Sequence, residues 1–186
     1  TPVSLHAAGR TDAGVHAEGQ TVSIVARTAL PAEALRRIAD MILPASIRIE
    51  RLEDAPAGWN PQRDCTGKLY RYRILESARP APALERAAWR VDAPLDLDAV
   101  RRGAAPLVGT HDFRAVAVAR VHEVVRIGRR APGFLYMMVR NVVAALVEAG
   151  HGRRPPGWIA EVLASRDRRR GPPPAPPHGL TLVRVE

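Results

Sequence analysis

A single cysteine, Cys65, occurs in the 186 residues, which excludes an intrachain disulfide and a thiolate metal cluster and suits a reducing compartment. Aromatic residues are scarce at 4%, so the core has to rest mainly on Val, Leu, Ile and Ala. Lysine is nearly absent: Lys68 is the only one, and the remaining basic residues are arginines. There is no charged start followed by an apolar segment. The longest apolar stretch, Phe134 to Gly150, is interrupted by Arg140, Asn141 and Glu148, which excludes a membrane span there. No G-x-G-x-x-G turn and no internal repeat is found. Thr1 stands where a natural start would carry Met, and the chain is expected to have lost its beginning.

What is present is a hydrophobic share of 46%, enough to bury a core in one domain or two small ones, together with 17 prolines that imply many rigid connections. Lys and Arg number 28 against 19 Asp and Glu, for a net charge of +9, and such an excess favours a polyanionic partner, nucleic acid first. A guanidinium grips a phosphate with two hydrogen bonds and also stacks on a base. A coding bias that replaces Lys by Arg explains the Arg preference equally well, but it does not remove the surplus charge.

The pattern predicts alternating strands and helices. Gln20 to Arg27 has the β-branched alternation of a strand, and Ile47 to Leu52 and Leu69 to Leu75 read as two more. In the last, Tyr70 and Tyr72 share one face and Arg71 and Arg73 the other. After Pro31, the residues Leu35, Ile38 and Ile42 recur at helical spacing, predicting a helix with one face on a sheet. Asp96 is placed to cap a helix through about Leu107, Phe134 to Ala149 reads as the longest helix, and Pro155 and Pro156 open another over Trp158 to Ala164. The RRRGPPPAPPHG segment reads as an extended connector before a final strand, Leu180 to Val185. The class is α+β or mixed α/β.

The stretch with chemical content is Ala8 to Ala17, AGRTDAGVHA, in which one carboxylate, Asp12, lies among small residues. A polynucleotide brought against this loop meets Asp12, backbone amides opened by Gly9 and Gly14, and Arg10 as a compensating charge. A TDAG string alone is more often a turn or a helix cap. The longer string GRTDAGVHA, however, resembles residue for residue the signature of the tRNA pseudouridine synthase A family. The resemblance continues in family order through KLYRY (Lys68 to Tyr72), GTHDF (Gly109 to Phe113), GFLYMMVRN (Gly133 to Asn141), WIAEVLASRDR (Trp158 to Arg168) and APPHGLTLVRV (Ala175 to Val185).

That resemblance implies an α+β pseudouridine synthase fold of two subdomains whose antiparallel sheets join and are flanked by helices. Residues 1–60 would be the remainder of the N-terminal subdomain, with the catalytic loop, and residues 61–186 the C-terminal subdomain. It implies isomerisation of uridine to pseudouridine in the anticodon arm of tRNA, by a cytoplasmic homodimer, without cofactor or metal. Asp12 is the implied catalytic residue, acting either as nucleophile at the sugar or as the base that removes a ribose proton. Arg140 is implied to pair with it, and Tyr70 to cover the target base once that base leaves its stack. Taken alone, a tyrosine in a strand is more often core. Arg10, Thr11, Gly14, His16, Arg63, Lys68, Arg120 and Phe134 are the implied substrate contacts, Arg120 toward the RNA backbone. His16, His111 and His122 match no metal-ligand spacing.

Several features depart from the family pattern. The strand, turn and helix that precede the catalytic loop in the family are absent, the strand pair between HDF and GFLYMMVR is shortened, and in WNPQR the usual Arg position holds Gln62, with Arg63 one place along. In a strand such a shift reverses the facing side. A chain with segments left out, a fragmentary product and a natural reduced enzyme all fit. Two functional readings follow: an active isomerase, or a catalytically impaired homologue that only binds tRNA.

Overall fold

The computed structural model describes residues 4–109, 125–127 and 137–186. In chain order the elements are β1 (Leu5–Ala7), β2 (His16–Ala17), β3 (Val22–Ile24), α1 (Ala32–Ile42), α2 (Pro61–Asp64), β4 (Lys68–Tyr72), β5 (Ile74–Glu76), α3 (Pro82–Glu85), β6 (Trp89–Val91), α4 (Leu97–Ala104), β7 (Val125–Ile127), α5 (Met138–Gly150), α6 (Trp158–Ser165) and β8 (Leu180–Val185). Short 3-10 turns cover Ala105–Leu107, Arg168–Arg170 and Pro177–Gly179.

The apolar run after residue 137 becomes α5, which is buried on all sides apart from Glu148, as a helix without a continuous polar face must be. One side, with Val139, Val143 and Val147, packs on Tyr70, Tyr72, Leu180 and Leu182 of the sheet. The other side, with Val142, Ala145, Leu146 and Ala149, packs on Val100 of α4 and Ile159 and Val162 of α6. The architecture is therefore a mixed sheet, a central helix and an outer pair of helices. Two glycines allow the outer layer to approach: a Cβ at Gly103 would lie 2.8 Å from Ile159 Cδ1, and one at Gly150 would lie 2.8 Å from Val100 Cγ2. Asp96 caps α4 by accepting from the amides of Asp98 and Ala99, both at 2.9 Å.

Among the described residues the main sheet runs β2-β8-β4-β7. β4 lies antiparallel to both β8 and β7, and β2 joins the edge of β8 in parallel. β1 pairs antiparallel with β3, and β5 parallel with β6. One sheet is thus mixed, one antiparallel and one parallel, and helices flank them.

Several sequence expectations are corrected. Ile47 to Leu52 forms no strand, because its backbone bonds to the preceding helix: the Ile49 amide donates to Asp40 Oδ1 (2.7 Å) and its carbonyl accepts from Arg36 Nη1 (3.2 Å). Such side-chain partners compete directly with a strand ladder. Helix α1 forms as expected, yet none of its residues is buried, and Met41 and Ile42 are 85% and 78% exposed. Leu5, Val22, Ile24 and Val25 of the β1–β3 region are exposed as well. The WNPQR segment leads into α2 rather than a strand, with Asn60 accepting from the Gln62 and Arg63 amides, so Arg63 stands on a helical turn and no strand facing is reversed there. The proline-rich connector is no free linker, since Ala175 is buried in the core. The first part of the expected longest helix, 134–136, lies outside the described residues; α5 starts after Met137, which takes a left-handed conformation (φ 55°).

Leu146 is fully buried between α5 and the outer helices. Leu146→Ala is expected to lower the unfolding free energy by about 2–5 kcal/mol through lost burial and a residual cavity, measured as a shift of the urea midpoint with an unchanged slope.

Candidate active site

The loop from Ala8 to Ala17 is tied down at both ends. At its start Ala8, fully buried, donates its amide to the Thr21 carbonyl (2.9 Å), and Gln20 Nε2 donates to the Gly9 carbonyl (2.8 Å). Gly9 lies against β4: a Cβ there would be 3.6 Å from Lys68 Nζ and 3.8 Å from Tyr70 Oη. The amide of Val15 closes a turn onto the Asp12 carbonyl (3.0 Å), and Gly14 takes the positive φ (83°) that lets the chain reverse.

At its far end the loop becomes a strand. His16 and Ala17 run parallel to Thr181 and Leu182, and the Glu18 amide donates to the Leu182 carbonyl (2.8 Å). Gly19 passes so close to β8 that a Cβ would sit 2.5 Å from the Val183 carbonyl oxygen. This is where the β4–β8 ladder slips by one residue, Leu69 facing Arg184 and Tyr70 facing Leu182, a bulge of the kind that redirects side chains beside a site. The Glu18 carboxylate then reaches across β8 to Arg71 with two bonds of 2.9 and 3.0 Å. A two-bond Arg–carboxylate pair fixes orientation as well as proximity.

Asp12 meets Arg140 between these anchors. Arg140 Nη1 donates to Asp12 Oδ2 at 2.8 Å, with the arginine side chain 10% exposed and the aspartate 26%. Arg140 Nε donates to the Ala175 carbonyl at 2.6 Å, and the Ala175 amide returns a bond to the Arg140 carbonyl at 3.1 Å. The guanidinium is thus held from two directions, and a buried arginine needs such acceptors. The result is a carboxylate of fixed direction with one side toward solvent.

Of the other residues singled out from sequence, Lys68 and Tyr70 are buried side by side under the loop, where burial, followed by the nearby Cys65, pushes the Tyr70 phenol up to about 12. Arg10, Thr11 and Gly14 are exposed beside Asp12. His16 is on β2, with Nε2 3.0 Å from the Arg86 carbonyl. Arg63 is on α2, its guanidinium turned to Asp64 and to the Gly58 carbonyl (2.7 Å). Arg120, Phe134, His111 and His122 lie outside the described residues, and of the shortened stretch from Phe113 to Gly133 only β7, Val125–Ile127, is described. Among the described residues no group of three His, Cys, Asp or Glu side chains is arranged to hold a metal ion, and no helix is long and apolar enough to cross a membrane. Sequence reasoning did not find Gln20, Glu18 or Ala175 as parts of the site. Their signals were weak: an amide, a surface carboxylate and one alanine among prolines.

Known proteins supply an independent comparison. The tRNA pseudouridine synthase family model matches residues 116–186. A protein of Myxococcus xanthus named tRNA pseudouridine synthase A is 40% identical, over 98% of this chain and 76% of its own length. Its namesake in Pseudomonas aeruginosa is 40% identical over 100% and 71%, and that of Geotalea uraniireducens 36% identical over 99% and 82%.

The Tyr70 phenol has a pH consequence. Because its folded value is raised from 10.0 to about 12, the unfolded chain loses this proton first. The associated stability is complete below the unfolded value and drains away as pH rises through the folded one. Urea midpoints measured between about pH 9 and about pH 12 should therefore fall in the parent and fall less steeply in Tyr70→Phe.

Proposed function

The chain belongs to the tRNA pseudouridine synthase A family, and we propose that it isomerises uridine to pseudouridine in the anticodon arm of tRNA, with Asp12 as the catalytic residue. The observation that carries this reading is the Asp12–Arg140 pair, a directed carboxylate at 2.8 Å from a buried guanidinium, set in a chain with surplus positive charge. In the reaction the bond from ribose C1′ to uracil N1 breaks, the detached base turns, and a bond from C1′ to C5 forms. The proton displaced from C5 is lost and N1 regains one, so substrate and product are isomers and no co-reactant is consumed.

A single carboxylate serves this sequence, as nucleophile at C1′ or as base toward the ribose. Arg140 engages Oδ2, which turns Oδ1 to the sugar and holds the carboxylate against rotation during the turn of the base. Tyr70, beside the Gly9 end of the loop, is the cover for the extruded uracil, for which its ring offers a stacking face. Arg10 and Thr11 flank the exposed side of Asp12 and contact the nucleotide or its phosphates, with Gly14, His16, Lys68, Arg63, Arg120 and Phe134 as further substrate contacts. The enzyme works in the cytoplasm as a homodimer, with a division into subdomains near residues 60 and 61.

A second reading, a homologue that binds tRNA without converting it, is favoured by α1, none of whose residues is buried. Gel shifts do not separate the two, since a basic surface retains tRNA in either case. Pseudouridine formation on an unmodified tRNA transcript does. Conversion by the parent and none by Asp12→Ala or Asp12→Asn is the expected outcome. The Asn variant is needed because Asp12→Ala leaves a buried guanidinium short of an acceptor, a change that costs about 3–5 kcal/mol in comparable buried pairs, so lost folding and lost chemistry would be confused. Arg140→Ala is expected to abolish turnover, and Tyr70→Leu to lower it far more than Tyr70→Phe. No conversion by a folded parent would leave only the binding reading.

A further inference from the structure

The proline-rich segment before β8 contacts both Arg140 and the turn that carries Asp12, yet it has few means of holding itself. Between Pro172 and Pro177 only Ala175 carries a backbone N–H, and that donor is committed to the Arg140 carbonyl (3.1 Å). Three consecutive residues then meet three different partners. Ala175 accepts from Arg140 Nε (2.6 Å), Pro176 accepts from the Tyr72 hydroxyl (2.6 Å), and the Pro177 ring lies where a Cβ on Gly14 would be 3.2 Å from its Cγ. The segment is thus a strut between Arg140 and the turn that carries Asp12, and its middle residue is fixed by a side chain of β4.

We propose that Tyr72 is a positioning residue for the Asp12–Arg140 pair, acting through the Ala175–Pro177 backbone that its hydroxyl holds. The inference rests on the reading of Asp12 as the catalytic residue. Tyr72 is itself well anchored. Its ring is buried, meets Trp89 edge to face with centroids 6.4 Å apart, and lies so near Gly179 that a Cβ there would be 2.6 Å from ring carbons. Burial pushes its phenol well above the usual tyrosine value, so it remains a donor throughout the working pH range. A hydroxyl on a rigid ring bonded to a segment poor in donors controls where the Ala175 carbonyl stands. That carbonyl in turn sets the rotation of the guanidinium.

Tyr72→Phe removes one oxygen and keeps the packing. Two measurements on the full chain test it: steady-state kinetics on a tRNA transcript, and hydrogen exchange at Arg140 Nε followed by NMR. The expected result is a kcat lower by roughly 10- to 100-fold, the scale of a small misplacement of reacting groups, with KM for tRNA unchanged. Exchange at Arg140 Nε should be faster by about tenfold or more, while the Leu182 amide in the core keeps its protection. An unchanged Nε exchange rate overturns the proposal. So does a loosened Nε with kcat unaltered, a loss confined to KM, or a Tyr72→Phe chain that does not fold, since the hydroxyl would then serve the fold at large. If the parent itself converts no uridine, it is the isomerase reading that fails, and the exchange rate alone decides whether Tyr72 positions Arg140.

Discussion

A guanidinium enclosed by protein has to be given acceptors, and the arrangement around Arg140 follows from that requirement. α5 is apolar enough to lie between the sheet and the outer helices, so a charge on it near its start cannot escape to water. The structure meets the demand with a backbone carbonyl, Ala175, and a carboxylate, Asp12, which come from opposite ends of the chain. Satisfying one buried charge therefore forces the C-terminal segment and the N-terminal loop to converge on the same helix. A carboxylate recruited in this way has a fixed direction, which is what chemistry at a sugar carbon requires.

The convergence is secured by close approaches at two glycines. Gly19 lies on the Val183 carbonyl and Gly14 on the Pro177 ring, while Gly9 is in ordinary contact with Lys68 and Tyr70. β2 has only two residues, and its parallel pairing with β8 could not hold a loop in place alone. The Glu18–Arg71 bridge across β8 and the Gln20 bond to Gly9 supply the rest. The loop is thus fastened to the sheet at positions flanking Asp12, while Arg10 and Thr11 remain exposed.

The region around α1 is built differently. Its intrahelical ion pairs, Arg36 with Glu33 and Asp40, and the side-chain bonds to Ile49 give it local order, but Ile38, Met41 and Ile42 stay exposed. Periodicity placed this helix correctly because local hydrogen bonding and spacing suffice to form it. The same periodicity implied a sheet beneath its apolar face, and among the described residues none buries it, since a helical pattern states which side is apolar and not what lies opposite. Ile47 to Leu52 failed as a strand for a related reason: β-branched content favours extended backbone, but Asp40 and Arg36 captured the groups that a neighbouring strand would have used.

From the sequence alone, α4 with its Asp96 cap, α6 after its paired prolines, β8 to the residue and most of α5 could be read, because capping, proline geometry and apolar spacing are local physics. Its ordered motifs also identified the family and drew attention to Asp12, Tyr70 and Arg140. Only the tertiary structure decided how these meet. The 2.8 Å pairing of residues 128 positions apart, the bulge beside Gly19, the strap from Glu18 to Arg71 and the strut from Ala175 to Pro177 depend on contacts between distant segments, and no local rule of spacing specifies which distant backbone carbonyl a buried arginine will find.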